Sequence, residues 1–433
     1  MARILRQRRA GGEYTEKLLE TALAGARLSA ADRGLCQEIL YGVVRWQATL
    51  DWLVARKTPG RTQKPGLQDL LRLGLYQILW LDRIPGHAAV NETVELAKRE
   101  GYGPQAGFIN AVLRGYLREV DATKSLLAEL KATQPAAGCS HPEWLVTRWQ
   151  KRWGDDRTRE LLEWNNTPPK TFARINTLKA EAGKLLTQWR DEDVEYDFFR
   201  CDWCAENLVF ELKSHPPLAA LRSFQQGLFY VQDPGTLLAA RELDPRPGET
   251  VLDLCAAPGG KTTYLAQLMN NEGRIVAGDV SAERLQLVRE NCARLGVTCV
   301  EQRAAGILLA ELKKADGPAR KMPAARFDRV LVDAPCSNTG VLRRRVDLRW
   351  RIRPEEIERL RATQLSLLRQ AAAHLKSGGV LVYSTCSLET EENSEVVKQF
   401  LEEHSGFTLE RQRELLPFAV GVDGAYVAKM RGD

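Results

Sequence analysis

What the chain lacks narrows its class first. No apolar run approaches the roughly 18 residues that a membrane-spanning helix needs; the longest candidates, such as residues 379–383, have the length of a strand. The basic start at Arg3, Arg6, Arg8 and Arg9 leads into Gly11, Gly12 and Glu13 rather than an apolar stretch, so a secretory leader is not expected and a cytoplasmic location is. Nine cysteines form no regular framework, as in a reducing compartment, and thiol chemistry is permitted. Only Cys201 and Cys204 make a Cys-x-x-Cys pair, with no second pair or histidine cluster to complete a zinc site, so the pair reads as incidental and no metal is expected. A Walker phosphate loop and Gly-x-Gly-x-x-Gly are both missing.

What is present belongs to a folded protein of several domains. With 433 residues, 44% hydrophobic and 27% charged, the chain is neither disordered, collagen-like nor a coiled coil. At about 150 residues per domain it should hold about three. The net charge of +6 is modest, but Arg343, Arg344, Arg345, Arg349, Arg351 and Arg353 crowd one stretch. Guanidinium groups suit phosphate geometry, so on charge alone this run is as readily a nucleic-acid contact as a solvated face.

Three textures follow along the sequence. To about Arg118, apolar residues recur at helical spacing, as in Leu18, Leu19, Ala22 and Leu23, then Leu35, Ile39, Leu40 and Val43, then Leu70, Leu71, Leu75, Ile78 and Leu79. From about Ser140, prolines punctuate β-leaning pieces such as residues 171–176 and 208–212, which predicts a small mixed α/β segment. After Phe224, apolar strands at 250–254, 274–280, 328–333 and 380–384 alternate with helices. That pattern predicts a doubly wound, parallel α/β sheet of Rossmann-like type, whose ligands sit beyond the carboxyl ends of its strands. The expected domains are residues 1–139, helical; 140–223, small α/β; and 224–433, the ligand-binding sheet.

The four strand ends carry the candidate chemistry. The first runs through Asp253 into Cys255, Ala256, Ala257, Pro258, Gly259, Gly260 and Lys261, small residues that let a ligand approach backbone amides. The second ends at Asp279, which suits either ribose hydroxyls or the cap of a helix starting near Ala282. The third ends at Asp333, Ala334, Pro335 and Cys336, and the fourth at Ser384, Thr385 and Cys386. Two thiols on one ligand-binding rim point to covalent catalysis.

Residues 253–262, 333–340 and 383–388 together resemble the RNA 5-methylcytosine methyltransferases of the Fmu/Sun type. Phe108 to Arg114 and Ile84 to Val94 resemble the helical NusB-like domain that the bacterial branch, acting on small-subunit ribosomal RNA, carries at its N-terminus. The resemblance spans nearly the whole chain. It implies an RNA-binding domain at 1–139, a connecting RNA-binding segment at 140–223 and an S-adenosylmethionine-dependent methyltransferase domain at 224–433. By similarity Cys386 is the nucleophile that adds to cytosine carbon 6, Cys336 assists release of the product, and Asp333 holds the cytosine edge. The cofactor contacts carry over to Cys255, Ala256, Ala257, Pro258, Gly259, Gly260 and Lys261, and to Asp279 and Asp333. Arg174 to Asn176 and Gln232 to Pro234 match two further motifs at the cofactor rim and RNA groove. The implied partner is ribosomal RNA, approached by a monomer with no membrane or metal involvement.

The chain departs from the family near Ala304 and Ala305, where relatives carry an acid, at Asn338, where they carry a small residue, and at Val346 in place of proline. The basic stretch 313–326 reads as an extended loop. Two other readings stay open on the residues alone: a nucleotide-dependent oxidoreductase on the same sheet, and a non-catalytic RNA-binding ribosome-assembly factor.

Overall fold

The structure, a computed structural model, describes residues 1–304 and 326–433. Its contacts divide the chain into two compact units, Met1–Thr167 with Leu342–Arg351, and Pro168–Val341 with Ile352–Asp433.

The first unit is helical, as the spacing predicts. In the helix Ala30–Arg45, Ser29 caps the start by accepting from the Asp32 amide, and Ile39, Leu40 and Val43 are buried. Leu35, expected on that face, is exposed, because the buried stripe begins one turn later. Pro65 opens the helix Pro65–Trp80, where a missing N–H is harmless, and Leu70, Leu71, Leu75 and Leu79 enter the same core. Each such side chain contributes about 2 kcal/mol by leaving water.

A nucleic-acid role for the arginine run is overturned for two of its members, Arg343 and Arg349. Residues 342–351 belong to the helical unit, with Val346 in its core. Arg349 is fully buried and donates to the carbonyls of Ser140 (3.1 Å) and Asn165 (2.9 Å) and to Asn166 Oδ1 (2.8 Å). The buried Arg343 guanidinium lies 4.1 Å from the Trp164 ring centre. Asp347, also buried, accepts from the Thr15 amide (2.6 Å) and from Arg8. A guanidinium satisfies carbonyls at helix C-termini as well as phosphates, and charge along a sequence does not report burial. Arg345 and Arg353 remain exposed.

The second unit holds two sheets. β1 (Thr171–Ile175), β2 (Glu195–Phe199), β3 (Val209–Ser214) and β4 (Phe229–Val231) form an antiparallel sheet in the order β2-β3-β1-β4. Trp189 of the helix Ala182–Asp191 packs edge-on to Phe210 and Phe229, both with ring centres 5.4 Å away. Cys201 and Cys204, read as incidental free thiols, are joined as a disulfide.

The larger sheet has the order β10-β11-β9-β8-β5-β6-β7, with β5 (Thr250–Asp253), β6 (Arg274–Asp279), β7 (Val300–Ala304), β8 (Phe327–Asp333), β9 (Leu375–Thr385), β10 (Phe407–Leu415) and β11 (Ala425–Gly432). β5 to β9 run parallel, and β10 and β11 add an antiparallel edge that the sequence pattern did not announce. The doubly wound α/β expectation therefore holds for a mostly parallel, mixed sheet. β9 starts before the expected 380–384 strand: the helix Pro354–Ala373 ends just ahead of it, and Leu375 already pairs with Phe327. Among the described residues no helix is long and apolar enough to cross a membrane. Ala305 and residues 313–325 lie outside the described residues.

Candidate active site

Parallel pairing puts the chemistry-bearing ends side by side. Asp333 at the end of β8 is in register with Ser384 near the end of β9, and β5 lies on the other side of β8. The loops after β5, β8 and β9 therefore open on one edge of the sheet.

Gly259 makes the turn after β5 with φ 104°, and the helix Gly260–Leu268 begins directly behind it. A buried cation props this turn from below. Arg174 of β1 donates to the Gly260 carbonyl (2.9 Å), to Thr263 Oγ1 (3.1 Å) and to Gln232 Oε1 (2.5 Å), with its guanidinium near the Tyr230 and Tyr264 rings. Asn176 ties the same strand to the carbonyls of Gly227 (2.9 Å) and Leu295 (2.8 Å). Asp233 accepts from the amides of Gly235 (2.9 Å) and Asp423 (3.1 Å).

The acids around the turn suit a polar, positively charged ligand. Asp253 is buried; Oδ2 accepts from Thr262 Oγ1 (2.7 Å), and Oδ1 has no hydrogen-bond partner among the described residues. Burial pushes its pKa up to about 7. Asp279 holds its own loop, accepting from the Ala257 amide (3.3 Å) and the Ser281 amide (3.1 Å), while Ser281 rather than Asp279 caps the helix Ala282–Leu295. An unpartnered buried carboxylate oxygen beside a glycine turn and a second acid at the next strand end fits an amino-acid-bearing nucleoside such as S-adenosylmethionine.

Across the edge, Lys261 and Asp333 form an ion pair at 2.7 Å, and Ser384 Oγ donates to the other Asp333 oxygen at 2.8 Å. Burial works to lower the Lys261 pKa, but the Asp333 carboxylate outweighs it and holds the ammonium above its ordinary value.

The two thiols meet. Cys336 Sγ lies 3.4 Å from Cys386 Sγ, and Cys386 Sγ lies 3.0 Å from Asn338 Oδ1. Asn338, with φ 59°, also donates Nδ2 to the Cys336 carbonyl at 2.5 Å, so this family departure touches both cysteines. The Gly340 amide donates to the Cys386 carbonyl at 2.9 Å, and a Cβ there would sit 2.7 Å from that oxygen. The hydrogen bond with Cys386, together with burial, pushes the Cys336 thiol up. Cys255, in the glycine turn, is likewise raised by burial and by Asp333.

Sequence reasoning named the two cysteines, Asp333, Asp279 and the 255–261 turn, and the structure gathers all of them on one sheet edge. It named the Arg174 motif without its hold on the Gly260 turn, and it missed the Lys261–Asp333 pair and Glu392, a buried acid beneath both cysteine loops. Glu392 lies in an acidic run with Glu389, also buried, and Glu391, and such a run gives no sign of which member reaches the cysteine loops. Among the described residues no group of three or more His, Cys, Asp or Glu could hold a metal ion.

The chain is similar to known proteins. Residues 240–431 match the family model described as 16S rRNA methyltransferase RsmB/F, residues 1–118 the NusB family, and residues 141–214 a RsmF/B-like ferredoxin-like domain. The chain is 37% identical to the "Probable ribosomal RNA small subunit methyltransferase B" of Bacillus subtilis (strain 168), covering 96% of this chain and 94% of that one. It is 36% identical to the "Ribosomal RNA small subunit methyltransferase B" of Escherichia coli O1:K1 / APEC, over 93% and 91%. A solved structure titled PH0851 superposes with a TM-score of 0.77 at 26% identity, over 99% of this chain and 97% of that one.

Proposed function

From the premise that this chain belongs to the 16S rRNA methyltransferase RsmB/F family, we propose that it methylates carbon 5 of a cytosine in small-subunit ribosomal RNA through a covalent cysteine adduct. The observation that carries the reading is the 3.4 Å approach of Cys336 and Cys386 beside a glycine turn and a buried acid with one unpartnered oxygen.

S-adenosylmethionine, held by residues 255–261 with Asp253 and Asp279, supplies when bound an electrophilic methyl group on a sulfonium sulfur. The protein's part is to make cytosine nucleophilic. The Cys386 thiolate adds to carbon 6, which turns carbon 5 into an enamine-like carbon able to accept a methyl group. Asp333 holds the cytosine edge and steadies charge during addition, and Lys261 fixes that carboxylate in place. After methylation the carbon 5 proton leaves, the carbon 6 to sulfur bond breaks, and Cys386 departs as thiolate. Cys336 assists this release.

A cytosine stacked in an RNA helix cannot present its face to a thiol, so the target lies in a loop or is extruded. In this reading residues 1–139 and 140–223 engage the RNA and residues 224–433 perform the chemistry, in the cytoplasm, as a monomer and without a metal. Methyl transfer from labelled S-adenosylmethionine to deproteinised small-subunit RNA tests it; purified protein that transfers no label sinks the reading.

A further inference from the structure

One buried carboxylate joins the two cysteine loops. Glu392 is fully buried, and four donors converge on it. Oε1 accepts from the Ser337 amide (2.8 Å) and from Gln364 Nε2 (3.0 Å). Oε2 accepts from Ser387 Oγ (2.5 Å) and from Ser337 Oγ, and the two hydroxyls lie 3.0 Å apart. Ser337 follows Cys336 directly, and Ser387 follows Cys386. The Glu392 carbonyl also accepts from Tyr383 of β9 at 2.5 Å, which fixes the backbone that carries the carboxylate.

The loops have few other ways to hold their register. They belong to strands about 50 residues apart in sequence, and each leaves its strand just before its cysteine. The Gly340 amide donates to the carbonyl of Cys386 itself, and farther along the loops Thr339 Oγ1 accepts from the Leu388 amide (2.9 Å). Asn338 Oδ1 meets the Cys386 thiol directly, and Glu392 crosslinks the residues that follow the two thiols. A carboxylate suits the task because each oxygen accepts twice, whereas an amide at this place would turn an N–H toward two existing donors.

We propose that Glu392 is a positioning residue for the methyl transfer, a clamp that sets the Cys336 and Cys386 sulfurs at working distance by hydrogen-bonding the residue after each. This rests on the proposed cytosine chemistry and goes beyond it by assigning the geometry of the thiol pair to an acid that touches neither substrate nor cofactor. The clamp also acts electrostatically: after the Cys386 hydrogen bond and burial, the Glu392 charge is among the causes that raise the Cys336 thiol.

The test uses the full chain with deproteinised small-subunit RNA. Wild type is compared with Glu392→Ala, Glu392→Gln and the double variant Ser337→Ala/Ser387→Ala, reading kcat, KM for RNA, S-adenosylmethionine affinity by calorimetry, and RNA-linked protein after denaturation. A displacement of about 1 Å at a reacting group costs about 100-fold. Glu392→Ala is therefore expected to lose about 100-fold in kcat and in adduct yield, with KM and cofactor affinity within about threefold of wild type, and Glu392→Gln to recover part of the loss. The serine pair, which keeps the Gln364 and Ser337 amide contacts, is expected to lose at least about tenfold in kcat. Wild-type kcat in Glu392→Ala overturns the proposal, as does a fall in cofactor affinity parallel to kcat. If Glu392→Ala does not fold, the serine pair decides, and undiminished kcat there overturns the clamp. Wild type that transfers no methyl group brings down the cytosine reading and the clamp with it, whereas active wild type with equally active variants brings down the clamp alone.

Discussion

The Lys261 ammonium sits 2.7 Å from the Asp333 carboxylate, joining the first turn of the helix after β5 to the end of β8. The pair is part-buried, with Lys261 the less exposed partner, so its geometry is held more tightly than that of a surface ion pair. It places a fixed cation and a fixed acid on the sheet edge that also carries the glycine turn and the two thiols.

Removing either partner should therefore hurt chemistry more than binding. Lys261→Met and Asp333→Asn are each expected to lower kcat by roughly 100- to 10,000-fold, the range for a general acid–base or charge-stabilising group. Single-turnover methyl transfer at saturating RNA measures this, and a change confined to KM would contradict it.

The roles of the two thiols separate under denaturation. Cys386→Ala is expected to form no RNA-linked protein and transfer no methyl group, whereas Cys336→Ala should accumulate the linked species because release is blocked. The opposite pattern on a denaturing gel would make Cys336 the nucleophile.

Asp253 gives the protein a pH-dependent weakness. Its pKa rises from 3.8 to about 7 on folding, so the folded state holds this proton more tightly than the unfolded chain does. The favourable contribution is complete below the unfolded value and is lost as pH climbs to about 7, beyond which the penalty is constant. Asp253→Asn removes the ionisation, and its melting temperature should gain on wild type between pH 4 and 7 and hold that gain above 7. The penalty removed is on the order of a few kcal/mol at the plateau. Thermal melts across this range check the sign; a gain that shrinks with rising pH would refute it.

Two arginines of one run should behave differently. Arg349→Ala removes a buried guanidinium bound to the Arg45, Ser140 and Asn165 carbonyls and Asn166 Oδ1, and is expected to destabilise the helical unit by about 3 kcal/mol, without changing the salt dependence of RNA binding. Arg345 is exposed, and Arg345→Ala should leave the melt within about 0.5 kcal/mol while reducing the slope of log K against log salt by nearly one. Filter binding over a salt series, beside denaturant melts, distinguishes them.

Much of the site was legible because it is local. A glycine turn after an apolar strand, an acid at the next strand end and a cysteine after each of two later strands are short signals whose spacing carries their meaning. Arg343 and Arg349 misled because a basic cluster looks the same whether it faces phosphate or helix-end carbonyls. The β10–β11 edge escaped because its partly exposed residues, such as Arg411, Arg413 and Glu414, break the apolar pattern that marked the buried strands.

The sequence by itself determined the kinds of groups available and the order in which they leave the sheet, since strand, turn and helix signals act over a few residues. Only the tertiary structure decided which of them meet. The 3.4 Å thiol pair, the Lys261–Asp333 contact and the four donors around Glu392 each join residues from separate segments. Parallel pairing of β5, β8 and β9 brings those segments to one edge, and burial there makes an unsatisfied acid costly enough that its partners are fixed.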